Sequence, residues 1–387
     1  MRILLLHTSY LQKGGEDAVF KAEAELLKTF VAVKTFELKN SQGWKGAGQF
    51  AFSIWNIFSA YKLKKLIASW QPDIIHLHNF HFAMGPLVVR VAKRAKVPVV
   101  LTVHNYRLLC PSATLSHNGE LFTQSLTTSF PWAAVRRKVY RDSLTQTFWL
   151  AFVLWFHKSI GTWRLIDRYI VLTDFARSVF VSSSLGVDAK KFVTKPNSRN
   201  PVRRIPSHRE QNFLYVGRLS AEKGISVLLE AFSASGEQLL IAGEGPMEKE
   251  VLECCKKHMN IRFVGRLDRE GVERQMQSCT ALVFPSIWYE GLPMTLIEAL
   301  STSTAVITSR LGAMEDVIRD GYNGLHFKAG DATDLAGKLK VWRQMEESAR
   351  ENYRRNAYRT YETRYTPEQN RKQLLDIYRT TIQLPMS

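Results

Sequence analysis

Short runs of aliphatic and β-branched residues alternate with longer amphipathic stretches along most of this 387-residue chain. In the first half, residues 2–10, 31–38, 73–79, 97–105 and 168–173 read as strands, most of them apolar on both faces. Such strands suit a parallel sheet covered by helices on each side. Helical periodicity fills the intervals at 17–30, 54–70, 86–94 and 133–163. The polar stretch 197–211, which carries Pro201 and Pro206, breaks this rhythm and predicts a domain boundary. After it the rhythm restarts. Strands are expected at 213–216, 239–242, 261–264, 281–284 and 305–308, with helices at 224–233, 247–258, 269–277 and 293–301.

The pattern therefore predicts two Rossmann-like, doubly wound α/β domains. Residues 1–197 would form the first, 198–211 the linker and 212–365 the second. A charged closing helix over 366–387 is expected to return to the first domain. Two such domains would place a cleft between the carboxyl ends of their strands, where open α/β sheets bind ligands.

Composition sharpens this picture at two points. Hydrophobic residues make up 45% and charged residues 23%, the balance of a soluble globular protein. No signal peptide is evident at the amino terminus. The longest apolar run, 148–156, is nine residues, far short of the ~20 needed for a spanning helix. The four cysteines, Cys110, Cys254, Cys255 and Cys279, show no paired framework and read as reduced thiols of a cytosolic protein. The net charge of +18 is the stronger signal, because residues 1–200 hold 27 Lys/Arg against 11 Asp/Glu. A basic half joined to a nearly neutral one suggests that the first domain faces an anionic surface or substrate.

Candidate chemistry sits where the strands are expected to end. Gly14-Gly15-Glu16 follows the first strand and precedes a helix. Glycine lets the backbone approach an anion closely, and the helix start offers unpaired N–H groups. Gly217-Arg218, with Lys223 further on, occupies the corresponding place in the second half. A guanidinium and an ammonium beside a glycine turn can grip a diphosphate. Gly243-Glu244-Gly245-Pro246 is a second tight loop, which either abuts a nucleotide or merely turns the chain. The segment from Pro285 to Leu300 is the most specific. It places Glu290 in the loop after a strand and Glu298 about two turns into the next helix. The two carboxylates could accept hydrogen bonds from hydroxyls of two different sugars. Glu298 lies among Leu296, Ile297, Ala299 and Leu300, where an unpaired carboxylate is costly to bury.

The E-x7-E spacing resembles that of the retaining family 4 glycosyltransferases of GT-B architecture, bacterial cell-surface polysaccharide type. So do VGRL with EKG, GEGP, FVGRL, the early GGE and the segment His104-Asn105-Tyr106-Arg107-Leu108-Leu109-Cys110-Pro111. The resemblance spans nearly the whole chain and implies roles. Gly14, Gly15 and Glu16 would meet the donor phosphate or transferred sugar. Arg218 and Lys223, beside Gly217, would neutralise the departing nucleoside diphosphate. Glu290 would hold the donor sugar, with Gly291, Leu292 and Pro293 beside it, and Glu298 the ribose. Gly243, Gly245, Arg266 and Leu267 would line the nucleotide, and His104 would lie near the donor sugar. His78, Asn79, Asn105 and Tyr106 are assigned to the acceptor side.

Two departures stand out: Ser303 and Ala305 replace the usual Gly and Pro, and Gly312-Ala313 replaces Gly-Gly ahead of Glu315. No D-x-D is present, so no metal ligands and no cofactor beyond the nucleotide-sugar donor are expected. His76 and His78 share one face of a strand, but without an Asp or Cys ligand nearby they are weak candidates for a metal.

Residues 43–70 and 131–168 interleave aromatics (Trp44, Phe52, Trp55, Phe58, Trp132, Trp155) with Lys and Arg. That mixture suits an interfacial helix on an anionic membrane, and the alternative is a plain hydrophobic core. The implied function is retaining transfer of a sugar from a UDP- or GDP-sugar to a membrane-held glycan or lipid-linked acceptor. It would take place in the cytoplasm, at the inner face of the cell membrane. A sugar-nucleotide epimerase of similar fold is an alternative. A basic nucleic-acid-binding protein is another, but it would leave Arg218, Lys223, Glu290 and Glu298 without purpose.

Overall fold

A computed structural model describes residues 1–11, 14–117, 119–202 and 209–384. The chain divides into two compact units. The first comprises Met1–Leu115, Phe122–Asn197 and Asn370–Ser387, and the second comprises Ser116–Leu121 and Ser198–Gln369. The middle of the expected linker, 203–208, lies outside the described residues.

The sheet of the first unit contains β1 (Arg2–Ser9), β2 (Ala32–Lys39), β3 (Ile74–Leu77), β4 (Val99–Val103), β7 (Arg168–Val171) and β8 (Phe192–Thr194). Its order is β2-β1-β3-β4-β7-β8 and every pairing is parallel. The apolar runs explain this. Ile3 to Leu6 and Ile74, Ile75 and Leu77 are fully buried because helices cover both faces of the sheet. From Asn370 onward the last helix, Pro367–Ile382, belongs to this unit and sends Leu374, Leu375, Ile377 and Tyr378 into the core that holds Ile3, Phe20 and Val100. A two-residue hairpin, β5 (Ser116–His117) and β6 (Glu120–Leu121), stands apart.

The second unit repeats the theme with β9 (Phe213–Val216), β10 (Leu239–Ala242), β11 (Ile261–Phe263), β12 (Leu282–Phe284), β13 (Val306–Ser309) and β14 (Gly324–Phe327). The order β11-β10-β9-β12-β13-β14, again parallel, is the 3-2-1-4-5-6 winding of dinucleotide-binding folds. The direction in which successive strands are added reverses between β9 and β12. In the first unit the equivalent reversal lies between β1 and β3. Loops leaving those strands are therefore splayed apart, which leaves room for ligand at each switch point.

Two expectations need correction. The single helix expected over 133–163 is broken into Trp132–Arg136 and Leu144–Ser159. Lys138, Arg141 and Asp142 between them adopt positive φ, and the Ser143 side chain caps the second helix by accepting from Gln146 N–H at 3.3 Å. The polar stretch after Asn197 is also no mere connector at its described ends. Arg209 is buried and its guanidinium donates to the carbonyls of Met276, Cys279, Thr302 and Ser303. Those carbonyls satisfy a buried cation, so the residue locks the second unit.

Candidate active site

In the second unit, the loops after β9 and β12 flank the switch point and carry the charged candidates. Gly224 ends the first loop at φ +73, and a Cβ there would sit 1.9 Å from the Pro285 carbonyl oxygen. Only glycine permits that approach, and it brings Lys223 against the second loop. Lys223 Nζ donates to Glu290 Oε1 at 2.6 Å, and Ser286 Oγ donates to the same oxygen at 2.8 Å. The ammonium also lies 4.9 Å from the centre of the Trp288 ring, a cation–π contact. Arg218 is exposed on the first loop, and its carbonyl accepts from the Tyr215 hydroxyl at 2.8 Å. Gly243 and Gly245 pack onto that loop so closely that a Cβ would lie 1.9 Å from Gly217 O or 2.4 Å from Leu219 O. The glycines of this pair are thus required by packing.

Glu298, on helix Met294–Ser301, is not left bare. Arg199 donates to its Oε1 at 2.8 Å and also bonds Glu273. Burial raises the Glu298 carboxyl above its usual range, while Arg199 and then Arg269 pull it down. Arg266 forms an exposed pair with Glu244 at 2.8 Å, and Leu267 is half-buried next to it. Leu292 and Pro293 are buried and Gly291 is half-buried, where the chain enters the helix that carries Glu298.

In the first unit, Glu16, His78, Asn79, His81, His104 and Asn105 line one pocket at the ends of β1, β3 and β4. Gly14 and Gly15 are exposed at the start of helix Gly15–Lys28, with open space around both. Asp17 anchors this turn: one oxygen accepts from Gly14 N–H at 2.9 Å, and the other meets His7 Nε2 at 2.8 Å. Burial, reinforced by Asp17, pushes the Glu16 carboxyl up to about 8. Burial takes His104 down to about 3, so its imidazole is neutral near pH 7.

Asn79 and Asn105 shape the pocket as well as line it. Asn79 donates to Thr8 O and accepts from His81 N–H, and Asn105 Oδ1 accepts from Arg107 N–H. Tyr106 is only 2% exposed and stacks on Phe180, so it is a packing residue in this structure.

Sequence reasoning missed a buried ion pair next to His78, one of the residues that line this pocket. Glu23 is 3% exposed and Lys195 is fully buried, and the two form an ion pair. His78 lies over the pair and contacts His104. Glu23 carried the same signal that singled out Glu298, a carboxylate in an apolar helical stripe with Phe20, Ala24 and Leu27. Lys195, at the end of a three-residue strand, carried none. Donor atoms of Glu23, His76 and His78 lie within 4.8 Å of one another, the spacing of a metal site. Lys195 already neutralises the carboxylate from one oxygen, however, and both nitrogens of His76 are engaged, by Tyr378 at 2.6 Å and Thr102 at 2.7 Å. The residues present do not fit a cation.

The family model described as Glycosyl transferases group 1 matches residues 199–360, the stretch containing both switch-point loops. A second, Glycosyltransferase Family 4, matches residues 44–203. The chain belongs to the group 1 glycosyltransferases. Its fold is GT-B. A glycosyltransferase from Rickettsia africae superposes with a TM-score of 0.71 at 15% identity, over 99% of both chains. Anabaena Alr3699/HepE, solved in complex with UDP-glucose, gives 0.65 at 16% identity over 98% of this chain and 100% of its own.

Among curated proteins, this glycosyltransferase is 30% identical over 289 residues to the phosphatidyl-myo-inositol mannosyltransferase of Mycobacterium leprae, covering 72% of this chain and 66% of that protein. The chain spans about two thirds of the length of such relatives, between 64% and 69%.

Proposed function

We propose that this glycosyltransferase moves a sugar, with retention of configuration, from a UDP- or GDP-sugar to a membrane-held glycan or lipid-linked acceptor in cell-surface polysaccharide synthesis. The observation that carries the reading is the Lys223–Glu290 contact at the second unit's switch point. It sets a cation and a hydroxyl acceptor side by side, as a diphosphate joined to a sugar requires. Breaking that linkage leaves negative charge on the diphosphate. One cation at ~4 Å is worth about 4 kcal/mol at an effective dielectric near 20, roughly a thousandfold in rate if realised only in the transition state. Lys223 and Arg218 supply it without a metal. Glu290 orients the sugar, and Glu298 accepts from the ribose while Arg199 holds it in place. On the acceptor side the pocket of His78, Asn79, His104 and Asn105 receives the hydroxyl.

The known proteins lend support in their own names. The Mycobacterium leprae relative is a phosphatidyl-myo-inositol mannosyltransferase, and the Anabaena protein was solved with UDP-glucose. An anionic membrane surface is the second partner in this reading. Among the described residues no helix is long and apolar enough to cross a membrane. Yet Trp44, Phe52 and Phe58 are 81%, 64% and 71% exposed, far more than a core role allows. Lys45 lies over Trp44 and Lys65 over Tyr61. The two aromatic segments also join each other, since Trp149 Nε1 donates to Phe50 O at 2.8 Å and Trp55 packs on Phe156. Trp163, by contrast, is core at 1% exposed.

A thermal-shift screen with UDP, GDP, ADP and their sugars tests the donor assignment. A rise in melting temperature with one nucleotide family is expected, and no rise with any of them would remove the reading.

A further inference from the structure

We propose that Glu23 is a positioning residue that fixes the tautomer of His104 through His78, so that His104 presents a bare Nδ1 lone pair to the pocket as a hydrogen-bond acceptor for a sugar hydroxyl. The Glu23 carboxyl is raised by burial, but Lys195 and then His76 outweigh this and hold it below its ordinary range, so it carries its charge. Burial, with the neighbouring positive groups, keeps His78 and His104 neutral. Each imidazole therefore has one N–H to place.

His78 Nε2 faces Glu23 Oε2 at 3.5 Å, longer than a formed hydrogen bond, and neither atom has a hydrogen-bond partner. A lone pair turned toward a carboxylate in a dry interior is repelled, whereas an N–H is attracted. The His78 proton is thus on Nε2, and its Nδ1 is an acceptor. His78 Nδ1 lies 3.2 Å from His104 Nε2, so the proton between them belongs to His104 Nε2. That leaves His104 Nδ1 bare. His76 stands outside this chain, since Tyr378 and Thr102 occupy both of its nitrogens.

His104 lines the pocket with Glu16 and Asn105. An acceptor at that place selects a hydroxyl and cannot donate to a carbonyl or a phosphate oxygen. The consequence for catalysis rests on the proposed donor and acceptor site, but the tautomer itself does not.

Glu23→Gln reverses the chain. Its carbonyl oxygen keeps Lys195 and its amide N–H turns to His78 Nε2, which must then accept. The proton of His78 moves to Nδ1, and that of His104 moves to its own Nδ1. Long-range 1H–15N correlation spectra of histidine-labelled protein distinguish the two tautomers directly, with His78→Gln and His104→Gln supplying the assignments. The wild-type protein is expected to show His104 protonated on Nε2, and E23Q to show it on Nδ1. In active preparations E23Q also loses about threefold to tenfold in kcat/KM, the scale of one hydrogen bond. His104 protonated on Nδ1 in the wild type, or an unchanged tautomer in folded E23Q, overturns the proposal. If E23Q does not fold, the wild-type spectrum still decides. The spectra need no turnover, so a failure of nucleotide binding would leave them readable.

Discussion

Lys223 and Glu290 are 67 residues apart in sequence and 2.6 Å apart in space. They meet because β9 and β12 are neighbours at the point where the sheet reverses, and because Gly224 lets the first loop touch Pro285. The pair makes the ammonium a bridge. A carboxylate and the Trp288 ring hold it in place, and in the proposed reaction it meets the diphosphate. Lys223→Ala should lower kcat by about a thousandfold while leaving the melting temperature within a few degrees, because its side chain is partly exposed and its partner keeps Ser286. Steady-state transfer assays check this. Retained activity would remove the leaving-group role.

Gly224→Ala should be worse for stability than Gly236→Ala. Both positions have positive φ, +73 and +71, but only Gly224 has a carbonyl oxygen where the methyl would go. The backbone term is of the order of 1 kcal/mol at each site. The clash adds to it at 224 and pushes Lys223 away from Glu290. Thermal denaturation and donor binding of the two variants side by side provide the measurement. Equal losses would mean that the close approach is not needed.

The switch-point candidates were legible because glycine turns and charged residues fell at strand ends, where an α/β sheet must bind its ligand. The strand rhythm alone indicated both sheets but missed the edge strands Phe192–Thr194 and Gly324–Phe327. The ion partner of Glu298 was hidden. Arg199 lies in a polar, proline-bearing stretch whose composition says linker, and nothing local indicates that it reaches Glu273 and Glu298. The break at 137–143 was likewise invisible, since basic residues such as Lys138 and Arg141 rarely take positive φ.

Acid should destabilise the fold well above the carboxylate range. His76, His78 and His157 are buried, with burial lowering each, His157 to about 4. A histidine whose folded value is depressed stays neutral in the native state while the unfolded chain takes a proton below about 6.5. Stability is therefore full above that pH and falls as pH drops. The loss is about 1.4 kcal/mol per pH unit for each histidine until its folded value is reached. Glu23, also depressed, adds its own loss at lower pH. Melting temperature measured from pH 8 to 5 should decline steadily below about 6.5. A flat profile would contradict the neutral, buried histidines.

The exposed aromatics give a binding prediction. Wild-type protein should float with vesicles containing anionic lipid and be released by high salt, because each basic residue near such a surface adds only about 1 kcal/mol and is screened. A triple variant, Trp44→Ala, Phe52→Ala and Phe58→Ala, should lose at least about tenfold in partitioning with its fold retained by circular dichroism. Undiminished flotation of the variant would assign the patch another role.

Calorimetric titration of UDP and GDP into the wild-type protein and Lys223→Ala, in the presence of a chelator, tests the central claim most directly. Saturable binding of one nucleotide to the wild type, weakened at least about tenfold by Lys223→Ala, is the predicted result. Equal binding by the two proteins, or no binding of either nucleotide, would contradict it.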